Sequence, residues 1–86
     1  MALETKQIAV TATGYAAIGI NITALSATEY KVGNLRAYVV ATGGDAPLVG
    51  SVDFIEFDGQ FTHSGTAADI YMLSPLGETS VGVVRE

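Results

Sequence analysis

Cysteine and tryptophan are missing from this chain of 86 residues, histidine occurs once, and lysine and arginine together number four. Without cysteine there is no disulfide and no thiolate metal site. The four cations, Lys6, Lys31, Arg36 and Arg85, stand singly along the chain. No basic patch exists to collect phosphates, which argues against nucleic-acid binding. No apolar run approaches the roughly 18–20 residues that a membrane-spanning helix needs. The opening residues Met1-Ala2-Leu3-Glu4-Thr5-Lys6 lack the basic and apolar regions of a signal peptide. Synthesis in a cytoplasm is therefore the expectation. Charged residues make up only 15% of the chain, against about a quarter in an ordinary soluble domain.

What is present is apolar and turn-rich. Apolar residues reach 49%, there are ten glycines, and nine acids against four bases give a net charge of −5. A chain of this length is one domain, residues 1–86, with 1–6 read as an arm ahead of the first strand. Such a domain buries only about 60% of the surface its unfolded form exposes. Lacking a covalent staple, it is expected to gain stability by self-association or by docking on a partner.

The clearest stretch is Gly33 to Gly59. Leu35 to Ala41 and Val52 to Phe57 are runs of β-branched and aromatic residues, separated by the turn-rich Gly43-Gly44-Asp45-Ala46-Pro47. That is the signal of paired or neighbouring strands. In the first run Leu35, Ala37, Val39 and Ala41 form a plain core face, while Arg36, Tyr38 and Val40 point the other way. In the second, Ile55 and Phe57 oppose Val52, Phe54 and Glu56, so both faces ask for cover. One cover is the domain core; the other is expected to be a neighbouring subunit. Tyr38, Val40, Phe54, Ile55, Phe57 and Tyr71 are the candidate interface residues.

Elsewhere Gln7 to Thr13 reads as a strand. Tyr15 to Ser26 is ambiguous, because Ile18, Ile20 and Ile22 alternate while Ile18, Ile22 and Leu25 have helical spacing. Gly19 would cost a helix about 1 kcal/mol, and strand is the better reading. Ser26 to Thr28 reads as a loop and Glu29 to Val32 as a short strand, with Gly33-Asn34 a tight turn. Asp58-Gly59 has the composition of a type I′ hairpin, returning through Gln60 to Thr62, with a loop at His63 to Thr66. Asp69 to Leu73 is a strand, Ser74-Pro75-Leu76-Gly77 a turn, and Thr79 to Arg85 a closing strand with Val81, Val83 and Arg85 on one side. The expected fold is all-β, a small antiparallel β-sandwich or jelly-roll-like barrel of roughly seven or eight short strands.

No constellation carries catalysis. His63, the single histidine, has no second histidine or cysteine to complete a metal or nucleophile site. Asp53, Glu56 and Asp58 could supply oxygen ligands, but strand alternation sends Asp53 away from Glu56, and the spacing matches no calcium loop. They read better as acids guarding a strand against edge pairing. Gly43-Gly44 lacks the lysine and following helix of a phosphate loop. No serine lies in a nucleophile elbow. The Asn21-Ile22-Thr23 sequon would not meet a glycosylation machinery. The expectation is no enzyme, no cofactor and no metal.

Three segments carry a resemblance. They are Leu35-Arg36-Ala37-Tyr38 with Gly43 to Gly50, Asp53 to Gly59, and Ala68 to Leu73 with Glu78 to Val84. Their rhythm of strands and turns is similar to small all-β virion proteins of tailed bacteriophages. The Gly-Thr-x-Pro loop typical of such families is altered here, since Ala46 precedes Pro47 and the threonine is absent. The resemblance implies a capsid decoration or cement protein on the outer surface of a phage head. The major capsid protein would be its partner, a homotrimer its form, and the virion its location. A different class of function, a receptor- or glycan-binding module of a tail or fibre, would instead use Tyr15, Asp45 and His63.

Overall fold

The computed structural model describes residues 4–29 and 34–86. It is all-β: β1 (Glu4–Val10), β2 (Ala16–Glu29), β3 (Leu35–Ala41), β4 (Ile55–Phe57), β5 (Gln60–Leu73) and β6 (Thr79–Arg85). These form one open antiparallel sheet in the order β1-β6-β2-β5-β3-β4. The two 14-residue strands, β2 and β5, pair along their whole length. Strand β6 joins the second half of β2, from Leu25↔Arg85 to Glu29↔Val81. Strand β3 joins the second half of β5, from Arg36↔Leu73 to Ala41↔Ala68.

The β2–β5 ribbon thus carries one pair of strands at each end, on opposite edges. Both flanks feed one buried cluster. Val81, Val83, Leu25, Ala27 and Phe61 come from one end, and Ile18, Leu35, Ala37, Ile70 and Met72 from the other. Val10 at the end of β1 is fully buried among them, and the Ser74 amide donates to the Thr11 carbonyl at 3.0 Å.

Bulges make this possible. Register slips at three places between Ala17 and Ala24, and Asn21 adopts φ 54°. An extra residue in a strand bends it and reverses which face the next side chains meet. Ile20, which strict alternation would bury, is instead 55% exposed, while Ile18, Ile22 and Leu25 are buried. The helical spacing of those three residues comes from a bulged strand, not from a helix. On β5 the same happens between Ser64 and Ala68, so buried positions change from Phe61 to Ala68, Ile70 and Met72.

Several expectations need correction. Ser26 to Thr28 is continuous strand, and His63 to Thr66 is strand too, running into the bulge of β5 between Ser64 and Ala68. Both have the composition of loops, because small polar residues mark turns and irregular strands alike. Six strands therefore stand among the described residues. The first strand spans Glu4–Val10, so Glu4 to Lys6 are strand and not an arm, and Thr11 to Thr13 lie beyond it. The Glu29 to Val32 strand falls largely outside the described residues, as does Gly33. Val52 to Phe54 are not strand. Asp58-Gly59 is a bend and not a hairpin, because β4 pairs with β3 while β5 pairs with β2. Of the two only Gly59, at φ 94°, takes a positive angle. The core face of β3 ends after Ala37, since Val39 is 41% exposed.

Candidate interaction surface

Strand β3 has one face on the core, through Leu35 and Ala37, and presents Arg36, Tyr38 and Val40 on the other. The 42–54 segment folds back over that outer face. Pro47 forbids helix at Ala46 and removes a ladder donor, and Gly43 sits at φ 88°, so the segment leaves the sheet before rejoining it at β4.

Two contacts hold it, and a third braces the tyrosine it rests on. The Asp53 amide donates to the Tyr38 hydroxyl at 2.8 Å. The Arg36 guanidinium lies 4.4 Å from the centre of the Phe54 ring, a cation–π geometry. Tyr38 meets Tyr15 edge to face at 5.4 Å, an arrangement favoured by the ring quadrupoles. Burial pushes the Tyr15 phenol above its ordinary value of 10.0, with Tyr38 adding to the rise and Arg36 opposing it.

The other end of the segment is fastened by Asp69, a carboxylate only 3% exposed. One oxygen accepts from the Asn21 amide at 2.8 Å, the other from the Gly43 amide at 3.1 Å. This one side chain therefore ties the bulge of β2 to the exit of β3. Charge-assisted bonds of this kind are about twice as strong as neutral ones. A buried carboxylate usually invites a catalytic reading, but both oxygens here are taken by backbone amides. Its role is to position the segment.

So anchored, the segment turns its apolar side chains outward. Leu48 is 77% exposed, Val49 48% and Val52 78%, and Ile55, the first residue of β4, is 53% exposed. Ile55 stands opposite Ala37 on the core side of the sheet, and Val39 opposite fully buried Ile70. The inner face of the β3–β4 edge therefore extends past the core, uncovered. Large exposed apolar patches on small proteins mark contact sites.

The candidate residues divide. Ile55 is exposed; Phe54, Tyr38, Val40 and Tyr71 are half-buried on or over the outer face; Phe57 packs against the core and meets Phe61 at 5.3 Å. Leu48 and Val49 escaped the sequence reading because a loop carries no periodicity, though two apolar side chains between Pro47 and Gly50 were a signal; Val52 reads as strand and not as an interface candidate. Asp69 escaped it because its partners are backbone atoms of distant segments.

Other features are less organised. An open depression of about 410 Å³ is lined by Glu4, Ala17, Ile20, Asn21, Arg85 and Glu86 among others. Arg85 crosses it, donating from Nε to Glu4 at 2.8 Å and from Nη1 to the Ile18 carbonyl. The Arg85 guanidinium, as hydrogen-bond donor and as charge, holds the Glu4 carboxyl below its usual range. The His63 ring lies 3.1 Å from the Thr66 carbonyl oxygen within β5. Tyr15, Asp45 and His63, the alternative set, form no common cluster in these contacts. Among the described residues no group of three or more metal-ligating side chains is assembled, and no helix is long and apolar enough to cross a membrane.

Comparison with protein families, with curated proteins and with solved structures finds no match.

Proposed function

We propose that this chain is a structural assembly protein without enzymatic activity, which acts by covering a joint on a larger shell. The observation that carries the reading is the apolar lip of Leu48, Val49 and Val52, exposed on a segment tied down at Gly43 and Asp53, with Ile55 exposed beside it on β4. Ordering such a segment in advance lowers the entropy cost of docking. The specific role is that of a capsid decoration protein on a phage head, with the major capsid protein as partner and a homotrimer as docking unit. On this reading the sheet, curled about one core, is a small sandwich or jelly-roll-like barrel whose β3–β4 edge is the docking edge.

A standard specific interface buries about 1,600 Å² in total. Repetition over a symmetric shell makes individually modest contacts strong through multivalency. The test is quantitative mass spectrometry of purified particles, with wild type against Leu48→Ser/Val52→Ser. The expected result is many copies per particle in fixed ratio to the shell protein, lost in the double variant. A few copies per particle would favour a fibre or tail module, and retention of the double variant would remove the lip from the contact.

A further inference from the structure

We infer that the lip binds a protein surface in which apolar side chains are flanked by lysine or arginine, and not a second copy of this chain. The inference rests on the reading of the lip as a contact and names the chemistry of the partner.

The segment that carries the four exposed apolar side chains also carries Asp45, Asp53, Glu56 and Asp58, all exposed. Each exposed apolar residue thus lies within four positions of a carboxylate in sequence. Between Arg36 and Arg85 the sequence holds no lysine or arginine. Arg36, opposite Glu56 in the β3–β4 ladder, lies beneath the Phe54 ring. Arg85 is bound to Glu4 at the far flank of the sheet. The segment therefore sets exposed apolar side chains among exposed carboxylates and carries no cation of its own. The chain as a whole carries −5, so its long-range field has the same sign.

Two copies meeting lip to lip would set these carboxylates against one another, a juxtaposition that costs several kcal/mol. A neutral apolar partner would leave them facing desolvation with nothing in return. A cationic rim removes both costs and steers the approach. The carboxylates are also presented on a fixed frame, since Asp53 is pinned through its amide to Tyr38 and Glu56 lies in β4. If the docking unit is a trimer, the lip faces the shell and the sister subunits meet elsewhere.

The test uses two synthetic peptides, alternating Lys-Val and alternating Glu-Val, followed by amide chemical shifts of the full chain. The Lys peptide is expected to bind about tenfold tighter than the Glu peptide, and to weaken severalfold between about 50 and 300 mM salt as screening shortens. Shifts should centre on residues 45–58. The Asp53→Asn/Glu56→Gln/Asp58→Asn variant should lose about fivefold in affinity, while Glu78→Gln, an exposed acid outside the segment, should lose nothing. Circular dichroism checks that both variants keep the fold.

Equal binding of the two peptides, shifts centred elsewhere, or an unaffected triple variant would overturn the inference. A concentration-dependent dimer in light scattering, abolished by Leu48→Ser/Val52→Ser, would overturn it in favour of a second copy. Particle binding separates the two levels. Loss with the serine variant but not with the triple variant defeats the cationic rim alone; retention with both defeats the lip as a contact.

Discussion

Asp69 and Tyr15 are two polar side chains taken out of water with opposite outcomes. Both Asp69 oxygens find backbone donors, so the cost of removing the carboxylate from water is answered twice. Asp69→Asn keeps one acceptor but turns an NH₂ towards an amide that needs one. Urea unfolding should show a loss of about 2–3 kcal/mol, and proteolysis should begin in the 42–54 segment, whose exit from β3 is released. The Tyr15 hydroxyl is buried with no partner among the described residues, while its ring is held by Tyr38. Tyr15→Phe removes the unsatisfied group and keeps the ring contact, and is expected to be neutral or to stabilise by up to about 1 kcal/mol. The pH dependence follows with its sign. The folded phenol has the raised pKa, so its contribution is complete below the ordinary value of 10.0 and is lost as pH rises through the folded value. Stability curves of wild type and the Phe variant should run parallel at neutral pH and separate above about pH 10, with wild type falling faster.

At the scale of the element, the long strands work because they are irregular. In β5 the bend falls where Gly65 takes φ 123°, an angle open essentially to glycine. Gly65→Val should cost about 1–3 kcal/mol by that strain, although a Cβ there would meet nothing within 4 Å. The space is open but the backbone angle is not, so thermal melting should show the loss. Asn21, at φ 54°, is the matching position on β2. Its side chain is only loosely engaged, with Thr42 donating to it at 3.5 Å, so glycine should serve there nearly as well as asparagine.

For the whole molecule, strand order decides both folding and surface. Only β3 and β4 are consecutive in the chain and adjacent in the sheet, among the described strands. The pair β1–β6 joins Glu4 to Arg85, so almost nothing is stabilised until distant segments have met. Loop closure must precede most contacts, and stopped-flow refolding should be slow, in the millisecond-to-second range of β folds with non-local pairing. The lip, by contrast, lies outside this scheme. Leu48→Ser/Val52→Ser should leave the urea midpoint within about 0.5 kcal/mol of wild type, because both side chains are already in water. A large loss of stability would mean that the segment belongs to the core and not to a contact.

By itself the sequence determined the class of fold, the absence of disulfides and thiolate metal sites, and the excess of apolar surface over what one small core can take up. These follow from composition and from β-branched runs between turn formers, which are local properties. Leu35 and Ala37 facing the core, and Val81 with Val83, were legible for the same reason. Only the tertiary structure decided which irregular stretches were loops and which were bulges, because Ser26 to Thr28 and His63 to Thr66 become strand through partners far away in the chain. It alone joined Asp69 to Asn21 and Gly43, and set the apolar side chains of a turn-rich segment on the surface. Those contacts depend on which strands lie side by side, and no local pattern of residues carries that information.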